Sequence, residues 1–235
     1  MTNQPNTIRI ERGQTKLYVP HQGREIAFIH PAVDPNNYRS VGAEILKRNQ
    51  DVPTGDKTAS LIYAAYCIPE SENYQEFKDV KDIMRKRWLW VFNNNLWTSK
   101  GVYVQDDLKA EGRSKQLDVN KLERMLKGGK QIQGIGFSKD KTLRFAPKET
   151  YQFGPQTPEQ FAKNGFIIAS CGKEGAEKLA EASTKFPNHP YVYGVDTNGQ
   201  EQRVSALCYV LGLRLDFDSD NFGASDYYFA FGVEK

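Results

Sequence analysis

The last thirty residues of this chain differ in composition from everything before them. Residues 204–233 contain no Lys, Glu, Gln, Met or Trp, although these five types occupy 53 of the first 203 positions. Apolar and polar residues alternate over 211–218 and again over 227–233, and the residues between are rich in Asp, Asn, Ser and Gly. Alternation with a period of two is typical of half-buried strands, and the intervening types favour turns. The pattern therefore predicts a chain that ends in strands with almost no long charged side chains.

The genetic code offers a second explanation for this composition. If the two adenines of an Asn codon, AAC or AAT, are replaced freely, the products never include Lys, Glu, Gln, Met or Trp. Every residue of the stretch lies within the set that such replacement can reach. Strands disfavour Lys and Glu in any case, so an ordinary pair of strands remains an alternative. The two explanations are compatible, because a diversified surface needs a rigid frame beneath it.

The order of residues in the stretch resembles the C-terminus of the variable proteins of diversity-generating retroelements. Arg203-Val204 opens it, mixed small and aromatic residues follow, and FAFGV closes it at residues 229–233. Two departures from the family pattern stand out. The Gly-Gly-Ser-Trp run that commonly follows Arg-Val is replaced by SALC at residues 205–208, and the closing strand lacks the usual Gly-Phe-Arg-Leu-like run.

The resemblance implies an α+β protein with a C-type lectin-like fold of the formylglycine-generating-enzyme type. That fold has short antiparallel strands, a few helices, and N- and C-terminal strands that pair. We expect one domain over residues 1–235, with a surface elaboration at about 106–130 and a variable region at 204–233. The resemblance also implies a non-enzymatic protein of archaeal or viral type, whose hypervariable surface binds a macromolecular ligand such as a protein on another cell or virus.

Within the variable region, aromatic residues would supply rigid contact area, and Ser, Asn and Gly would supply adaptable polar contacts, as in antibody paratopes. The residues that we expect to contact the ligand are Ser205, Ala206, Cys208, Tyr209, Val210, Leu211, Asp216, Asp218, Ser219, Asn221, Phe222, Gly223, Ala224, Ser225, Tyr227 and Tyr228. Alternation points a second set inward, so we assign the supporting frame to Leu207, Leu213, Leu215, Phe229 and Phe231.

Composition restricts the other classes of function. With 39% hydrophobic and 26% charged residues the chain is typical of a globular protein, and no apolar run approaches the ~18 residues of a membrane span. The N-terminus has no apolar signal-peptide core, so we expect synthesis in the cytoplasm and display on a virion or surface through a partner. Cys67, Cys171 and Cys208 are odd in number and widely spaced, which argues against a disulfide framework and a zinc site.

Nucleic acid is not an expected partner. A net charge of +3 with a pI near 8.6 is mild, whereas nucleic-acid binding concentrates basic residues on one face. The most basic segment, KDIMRKRWLW at residues 81–90, places Trp88 and Trp90 beside three basic residues. Such a mixture can bind single-stranded nucleic acid through base stacking and phosphate contacts. The apolar residues of the segment fall at helical spacing, so we assign both tryptophans to the core-facing stripe of a helix.

Three aspartates imitate a calcium-binding loop. Asp216, Asp218 and Asp220 match its first three ligand positions, because alternate carboxylates can converge on one hard cation. Asn221 then replaces the required glycine, and Tyr227 stands where the bidentate Glu belongs. We therefore predict a solvated acidic loop, with no metal and no cofactor.

Two alternative functions remain open. Cys171 precedes Gly172 and a predicted helix, where a thiol pKa can be lowered, and His189 follows nearby in sequence. A hydrolase using Cys171 or the aspartate cluster is the first alternative. A virion or pilus structural module, which would make one fixed homo-oligomeric contact, is the second.

Periodicity and turn signals predict the remaining elements. They indicate a hairpin over 17–31, helices over 56–67 and 73–90, a turn at 93–95, a strand over 101–105, an amphipathic stretch over 119–126, a strand pair within 131–147, a short helix after Thr157, a strand over 166–169, a helix over 173–185 and a strand over 191–195.

Overall fold

The computed structural model describes residues 8–11, 15–210 and 213–235, without the side chains of residues 210 and 220. The predicted ligand contact at Leu211 therefore lies outside the described residues, as do the side chains of Val210 and Asp220. The helices are α1 (Tyr38–Lys47), α2 (Gly55–Cys67), α3 (Gln75–Lys86), α4 (Val119–Leu126), α5 (Pro158–Lys163) and α6 (Gly165–Ser183).

Most of the described strands belong to one mixed sheet, and β1, β2 and β3 form a smaller one. The strands are β1 (Arg9–Glu11), β2 (Lys16–His21), β3 (Arg24–Ile29), β4 (Val33–Asn36), β5 (Trp88–Thr98), β6 (Gly101–Asp106), β7 (Lys130–Ile132), β8 (Ile135–Phe137), β9 (Leu143–Pro147), β10 (Gly154–Pro155), β11 (Tyr191–Tyr193), β12 (Gln200–Val210), β13 (Arg214–Asn221) and β14 (Tyr228–Ala230). The large sheet has the order β10-β11-β13-β12-β5-β6-β9-β8-β7, and β14 joins it by pairing with β4 and β5.

The end of the chain lies at the centre of this sheet. Strand β12 pairs antiparallel with both β5 and β13, and β13 pairs parallel with β11. The last strand, β14, pairs parallel with β5. Val233 then forms an antiparallel bridge with Phe28, and the amide of Ile29 donates to the carbonyl of Gly232 at 2.8 Å. The predicted pairing of N- and C-terminal segments is confirmed.

Apolar side chains bury the two sides of the sheet under different helices. On one side, Leu207, Leu215 and Phe217 pack into a large cluster with residues of α2, α3 and α6. On the other side, a smaller cluster joins Tyr38 of α1 to Trp90 of β5 and to residues of β12 and β14. Among the described residues, no member of the smaller cluster comes from β11 or β13. These two strands are therefore left without a helix on that side.

Several predicted elements are confirmed. The N-terminal hairpin, α2, β6 and α4 lie where the sequence patterns place them. Helix α5 begins after Thr157, whose side chain accepts from the amide of Gln160 while the Gln160 side chain accepts from the amide of Thr157, a complete capping box. The predicted elaboration contains α4, where Leu122 packs against Leu96 and Leu143. No helix in the described part of the chain is both long and apolar enough to cross a bilayer.

Three predicted elements are wrong. The helix predicted to continue to residue 90 ends at Lys86, and Trp88 and Trp90 lie in β5, because pairing with β12 outweighs the helical spacing. The asparagines at 93–95 form no turn but lie buried in the same strand. Residues 166–169 form the first turn of α6 rather than a strand, since the Asn164 side chain caps their amides.

Candidate binding face

Register across four strands brings side chains from distant parts of the sequence into two rows. Neighbouring residues in register share one face of a sheet. The first row is Trp88, Cys208, Asp216 and Tyr191, and the second is Trp90, Ala206, Asp218 and Tyr193. Both rows lie opposite the side that α2, α3 and α6 cover, because Leu207, Leu215 and Phe217 alternate with them.

The half-exposed members of this surface are aromatic or charged. We call Trp88, Tyr191, Tyr193, Arg214 and Asp218 the outer face. The Arg214 guanidinium organises it: Nε donates to Asp216 at 2.8 Å, and one terminal nitrogen donates to the Tyr193 hydroxyl at 2.8 Å. The same guanidinium lies 4.3 Å from the centre of the Tyr191 ring. One cation thus holds two tyrosines and a carboxylate in fixed positions.

Burial beneath the outer face keeps its chemical groups in their neutral or paired forms. Burial raises the pKa of Asp216 despite the Arg214 partner. Burial and the nearby aspartates raise the pKa of the Cys208 thiol, so it is no thiolate nucleophile at neutral pH. The predicted solvated acidic loop is wrong for Asp216, which is buried, and for Asp218, because both belong to strand β13 rather than to a loop.

An aromatic stack supports the outer face from beside β5. The ring of Tyr228 stacks on Trp88 at 5.5 Å between centroids and contacts Trp90 at 4.1 Å. Burial raises the pKa of Tyr228 to about 12, and its hydroxyl accepts from the Asn221 side chain at 2.9 Å. This stack joins the outer face to the segment that follows β13.

Residues 221–227, which begin with the last residue of β13, form the C-terminal loop. Phe222 and Tyr227 are exposed over 51% and 60% of their surface. The centre of the Phe222 ring lies 3.8 Å from the guanidinium group of Arg203 and 4.6 Å from that of Arg113. At the base of the loop, the carbonyl of Gly223 accepts from the amide of Tyr38 at 3.1 Å. The loop is therefore anchored to the frame while its aromatic rings face solvent.

The predicted contact residues divide into two groups by burial. Half-buried or exposed are Asp218, Asn221, Phe222, Gly223, Ala224, Ser225 and Tyr227. Buried, contrary to the expectation of a surface position, are Ser205, Ala206, Cys208, Tyr209, Asp216, Ser219 and Tyr228. For β12 and β14 the cause is topological, because β12 is a central strand covered on both sides and β14 is inserted between β4 and β5. Asp216 and Ser219 of β13 are held by the side chains of Arg214 and Asn95.

Specific contacts fix several of these buried residues. Asn95 of β5 donates to the Ser205 hydroxyl at 2.7 Å and to the Ser219 hydroxyl at 2.6 Å. The Tyr209 ring stacks on Phe186 at 4.0 Å between centroids. A side chain held in this way cannot reach a ligand without breaking the frame.

The frame prediction holds for most of its residues. Leu207, Leu215 and Phe231 are buried, and Phe229 is half-buried against the core. Leu213 is exposed over 46% of its surface, so its assignment to the frame is wrong. It precedes β13 and lies in the connection from β12, where alternation of residue types no longer indicates which side of the sheet a side chain faces.

Sequence reasoning missed much of the outer face. Trp88, Tyr191 and Tyr193 lie outside the compositionally unusual stretch, and Arg113 belongs to the predicted elaboration. The Tyr-Val-Tyr alternation of β11 is a visible signal of two aromatic rings on one side. That this strand pairs parallel with β13 is a tertiary fact with no local signature.

The suggested Cys171–His189 pair is not assembled. Cys171 is fully buried, and burial raises the pKa of its thiol well above the usual range. His189 is exposed beyond the end of α6, and the helix from Gly172 to Ser183 alone spans about 16 Å. Cys171 instead precedes a kink at Gly172, where φ is +69°.

The kink explains the buried ions around it. It interrupts helical hydrogen bonding in α6, and the side chains of Asn93 and Arg144 donate instead to the carbonyls of Ser170 at 3.0 Å and Ala169 at 2.6 Å. Arg144 is in turn held by both carboxylate oxygens of Asp106, at 2.7 and 2.8 Å. The Arg144–Asp106 ion pair therefore holds the kinked part of α6 in place, because Arg144 also bonds to a carbonyl of that helix.

A second polar group has the residue types of a hydrolytic triad. His21 lies 3.0 Å from the Ser60 hydroxyl and 3.5 Å from the Asp56 carboxylate. Ser60 is 1% exposed, and its hydroxyl donates to the Asp56 carbonyl and accepts from Lys178. A substrate carbonyl has no access to that hydroxyl, so the group fastens α2 to β2 and α6.

Comparison with known proteins identifies the fold. No protein-family model matches the sequence, and no curated protein matches it. A solved structure described as the accommodation of massive sequence variation in Nanoarchaeota by the C-type lectin fold aligns with 87% of this chain and 98% of its own, with a TM-score of 0.51. The chain has a C-type lectin fold. At 12% identity the likeness extends to the fold alone.

Proposed function

We propose that this C-type lectin-fold protein binds a variable macromolecular ligand through the outer face and the C-terminal loop. The observation that carries the proposal is one of placement. Among the described residues of the compositionally unusual stretch, the exposed and half-buried ones lie mainly in this loop and on the adjacent strand β13, and the buried ones build the frame below. A binding surface and its support are thus encoded in one short segment.

The chemistry of this surface suits protein recognition. Tyr191, Tyr193 and Tyr227 offer large amphipathic rings with few rotatable bonds, while Asn221 and Ser225 offer adaptable polar contacts. Tryptophan, tyrosine and arginine are enriched among the residues that contribute most of the binding energy at protein interfaces. A protein ligand therefore fits the surface better than a small molecule, which would require a deeper cavity.

The proposal includes diversification at adenines, as in the retroelement variable proteins that the sequence resembles. The solved structure with the same fold is described as accommodating massive sequence variation, which supports this choice. In this chain, variation is compatible with solvent-facing positions of the loop and of β13. Ser205 and Ser219 would stay constant, because Asn95 bonds to both.

The alternatives are weaker on specific grounds. Binding rather than catalysis is favoured because Cys171, Ser60 and Asp216 are all buried. A fixed homo-oligomeric module is disfavoured by the composition of the stretch. One unchanging interface gives no reason for its residue types to be limited to those that adenine replacement can produce.

Deep sequencing of this gene from the population that carries it tests the proposal. We expect differences at codons 218 and 221–227, confined to bases that correspond to template adenines. Strand β5 of the same reads provides the control segment, where differences should be rare. Differences scattered over the gene, or their absence from these codons, would show that the stretch is an ordinary part of the fold.

A further inference from the structure

A cavity of about 580 Å³ opens far from the outer face. It lies between the β7–β8 hairpin, the turn that leads to β9, and the kink of α6 at Gly172. In the sheet order, β8 is five strands from β13, which corresponds to about 24 Å. The cavity therefore belongs to a different part of the molecule from the proposed ligand-binding surface.

Positive charge surrounds this cavity. Lys130, Lys139, Lys141 and Lys173 line it. Lys173 lies 3.9 Å from Glu177 one turn further along α6, but Lys130, Lys139 and Lys141 form no ion pair within the described ranges 8–11, 15–210 and 213–235. Uncompensated ammonium groups around a concave site concentrate anions there.

Two carboxylates are adjacent in sequence to these lysines, and one of them, Glu174, itself lines the cavity, but both are already engaged. Asp140 accepts from the Ser138 hydroxyl at 2.6 Å and from the amide of Thr142 at 3.1 Å. Glu174 forms an ion pair with Lys178 at 2.7 Å and accepts from the amide of Gln22 at 3.1 Å. Neither of them pairs with the lysines of the cavity, so the positive potential remains available to a ligand.

The walls of the cavity are largely apolar or bare backbone, and Gln22, Ser138 and Glu174 add polar groups. Ile132, 42% exposed, and the half-buried Phe137 contribute apolar surface, and Gly128, Gly129 and Gly172 contribute backbone without side chains. Its volume falls in the range of small-molecule sites, which extends from about 300 to 1,000 Å³. Lysine is a common partner of phosphate oxygens.

From this arrangement we propose that the cavity binds a phosphorylated small molecule, with its phosphates at the lysines and its apolar part against Ile132 and Phe137. Cations at the rim and apolar walls match a ligand that has one charged and one apolar end. Such a site would give the protein a small-molecule ligand that is independent of the variable one.

Isothermal titration calorimetry with ATP, sodium triphosphate and adenosine tests the inference. We expect ATP to bind the intact protein, and the double variant Lys139→Gln/Lys141→Gln to bind it at least about tenfold more weakly, since a hydrogen bond to a charged group contributes about 1.5–3 kcal/mol. Lys78→Gln/Lys121→Gln, with the same charge change at exposed sites on α3 and α4, is the control and should bind as the wild type does.

Each outcome decides the matter. Triphosphate that binds, but more weakly than ATP, supports phosphate recognition by the lysines together with a contribution from the apolar walls. Triphosphate that binds as tightly as ATP overturns the placement of the apolar part against Ile132 and Phe137. Adenosine that binds as tightly as ATP, or equal weakening by both double variants, overturns phosphate recognition, as does the absence of ATP binding up to about 1 mM. Ile132→Asp, at an exposed position, provides an independent variant and should weaken ATP binding through charge repulsion. Because the codons named for diversification lie elsewhere, this result and the sequencing result can fail separately.

Discussion

Strands β12 and β13 present side chains to two different surroundings. Toward α2, α3 and α6 they present Leu207, Leu215 and Phe217, all fully buried. Toward the opposite side they present Asp216, which Arg214 covers, and Asp218, which is half-buried. Helices cover the first side completely, whereas α1 covers the second side only as far as β12.

The difference shows what determines where this fold tolerates variation. Alternation along a strand assigns residues to two sides, but the cover over each side decides whether a residue is frame or surface. Ser219 and Asp218 are neighbours in β13, yet one is fixed by Asn95 and the other is half-exposed. Tolerance is therefore a property of the neighbouring elements rather than of the strand itself.

The largest expected effect is the difference in stability lost when each of two phenylalanines, five positions apart, is replaced by alanine. Phe217 is fully buried and packs edge-on against Phe166 at 5.4 Å between centroids, so Phe217→Ala should lower the free energy of unfolding by about 3–5 kcal/mol. Phe222 is half-exposed and contacts two arginines, so Phe222→Ala should cost no more than about 1 kcal/mol. Urea unfolding of both variants gives the comparison, and equal costs would refute the division into frame and loop.

A smaller loss of stability is expected when the buried hydrogen bonds of the frame are removed. Asn95→Ala removes the donor shared by Ser205 and Ser219 and leaves two buried hydroxyls without it, so we expect a loss of about 1–3 kcal/mol. Asn221→Ala is the matched change in the C-terminal loop, where the bond to the Tyr228 hydroxyl and the bond from the amide of Gly223 are lost close to solvent. Its cost should be clearly smaller. Equal unfolding midpoints for the two variants would contradict the role of Asn95.

Local signals predicted the elements that local chemistry determines. The capping box at Thr157 and the amphipathic pattern of α4 involve residues close in sequence. The period-two pattern marks β6 as a strand, although its pairing with β5 and β9 is tertiary. The C-type lectin fold itself followed from a resemblance in the order of C-terminal residues rather than from periodicity. Its agreement with the solved neighbour rests on the path of the whole chain.

The errors occur where tertiary pairing overrides local preference. Trp88 and Trp90 fit a helical stripe, but β5 is held between β12 and β6. The asparagines at 93–95 have the composition of a turn, yet each donates from inside the sheet to a different element. Alternation places Ser219 and Asp218 on opposite sides of β13, but it could not show that Ser219 is bonded from within the sheet, since its partner Asn95 is 124 residues away along the chain.

The smallest expected effect is a pH dependence on the side that α1 leaves uncovered. Burial raises the pKa of Asp216 above that of the unfolded chain, so the folded protein binds this proton more readily. Stability from this group is therefore present at low pH and is lost as the pH rises through the folded-state pKa. Asp216→Asn should lack that dependence.

The measurement is the difference in unfolding free energy between wild type and Asp216→Asn, followed from neutral pH down to about pH 4, near the pKa of an unfolded Asp. The difference should shift in favour of the wild type as the pH falls, by less than the change caused by Asn95→Ala, since Arg214 partly compensates the charge. Asp226→Asn, in the exposed C-terminal loop, controls for the loss of one negative charge. A difference that stays constant would mean that Asp216 is solvated and that the outer face lacks a buried base beneath its two tyrosines. A shift the other way would mean that the ion pair with Arg214 outweighs burial and lowers the pKa of Asp216.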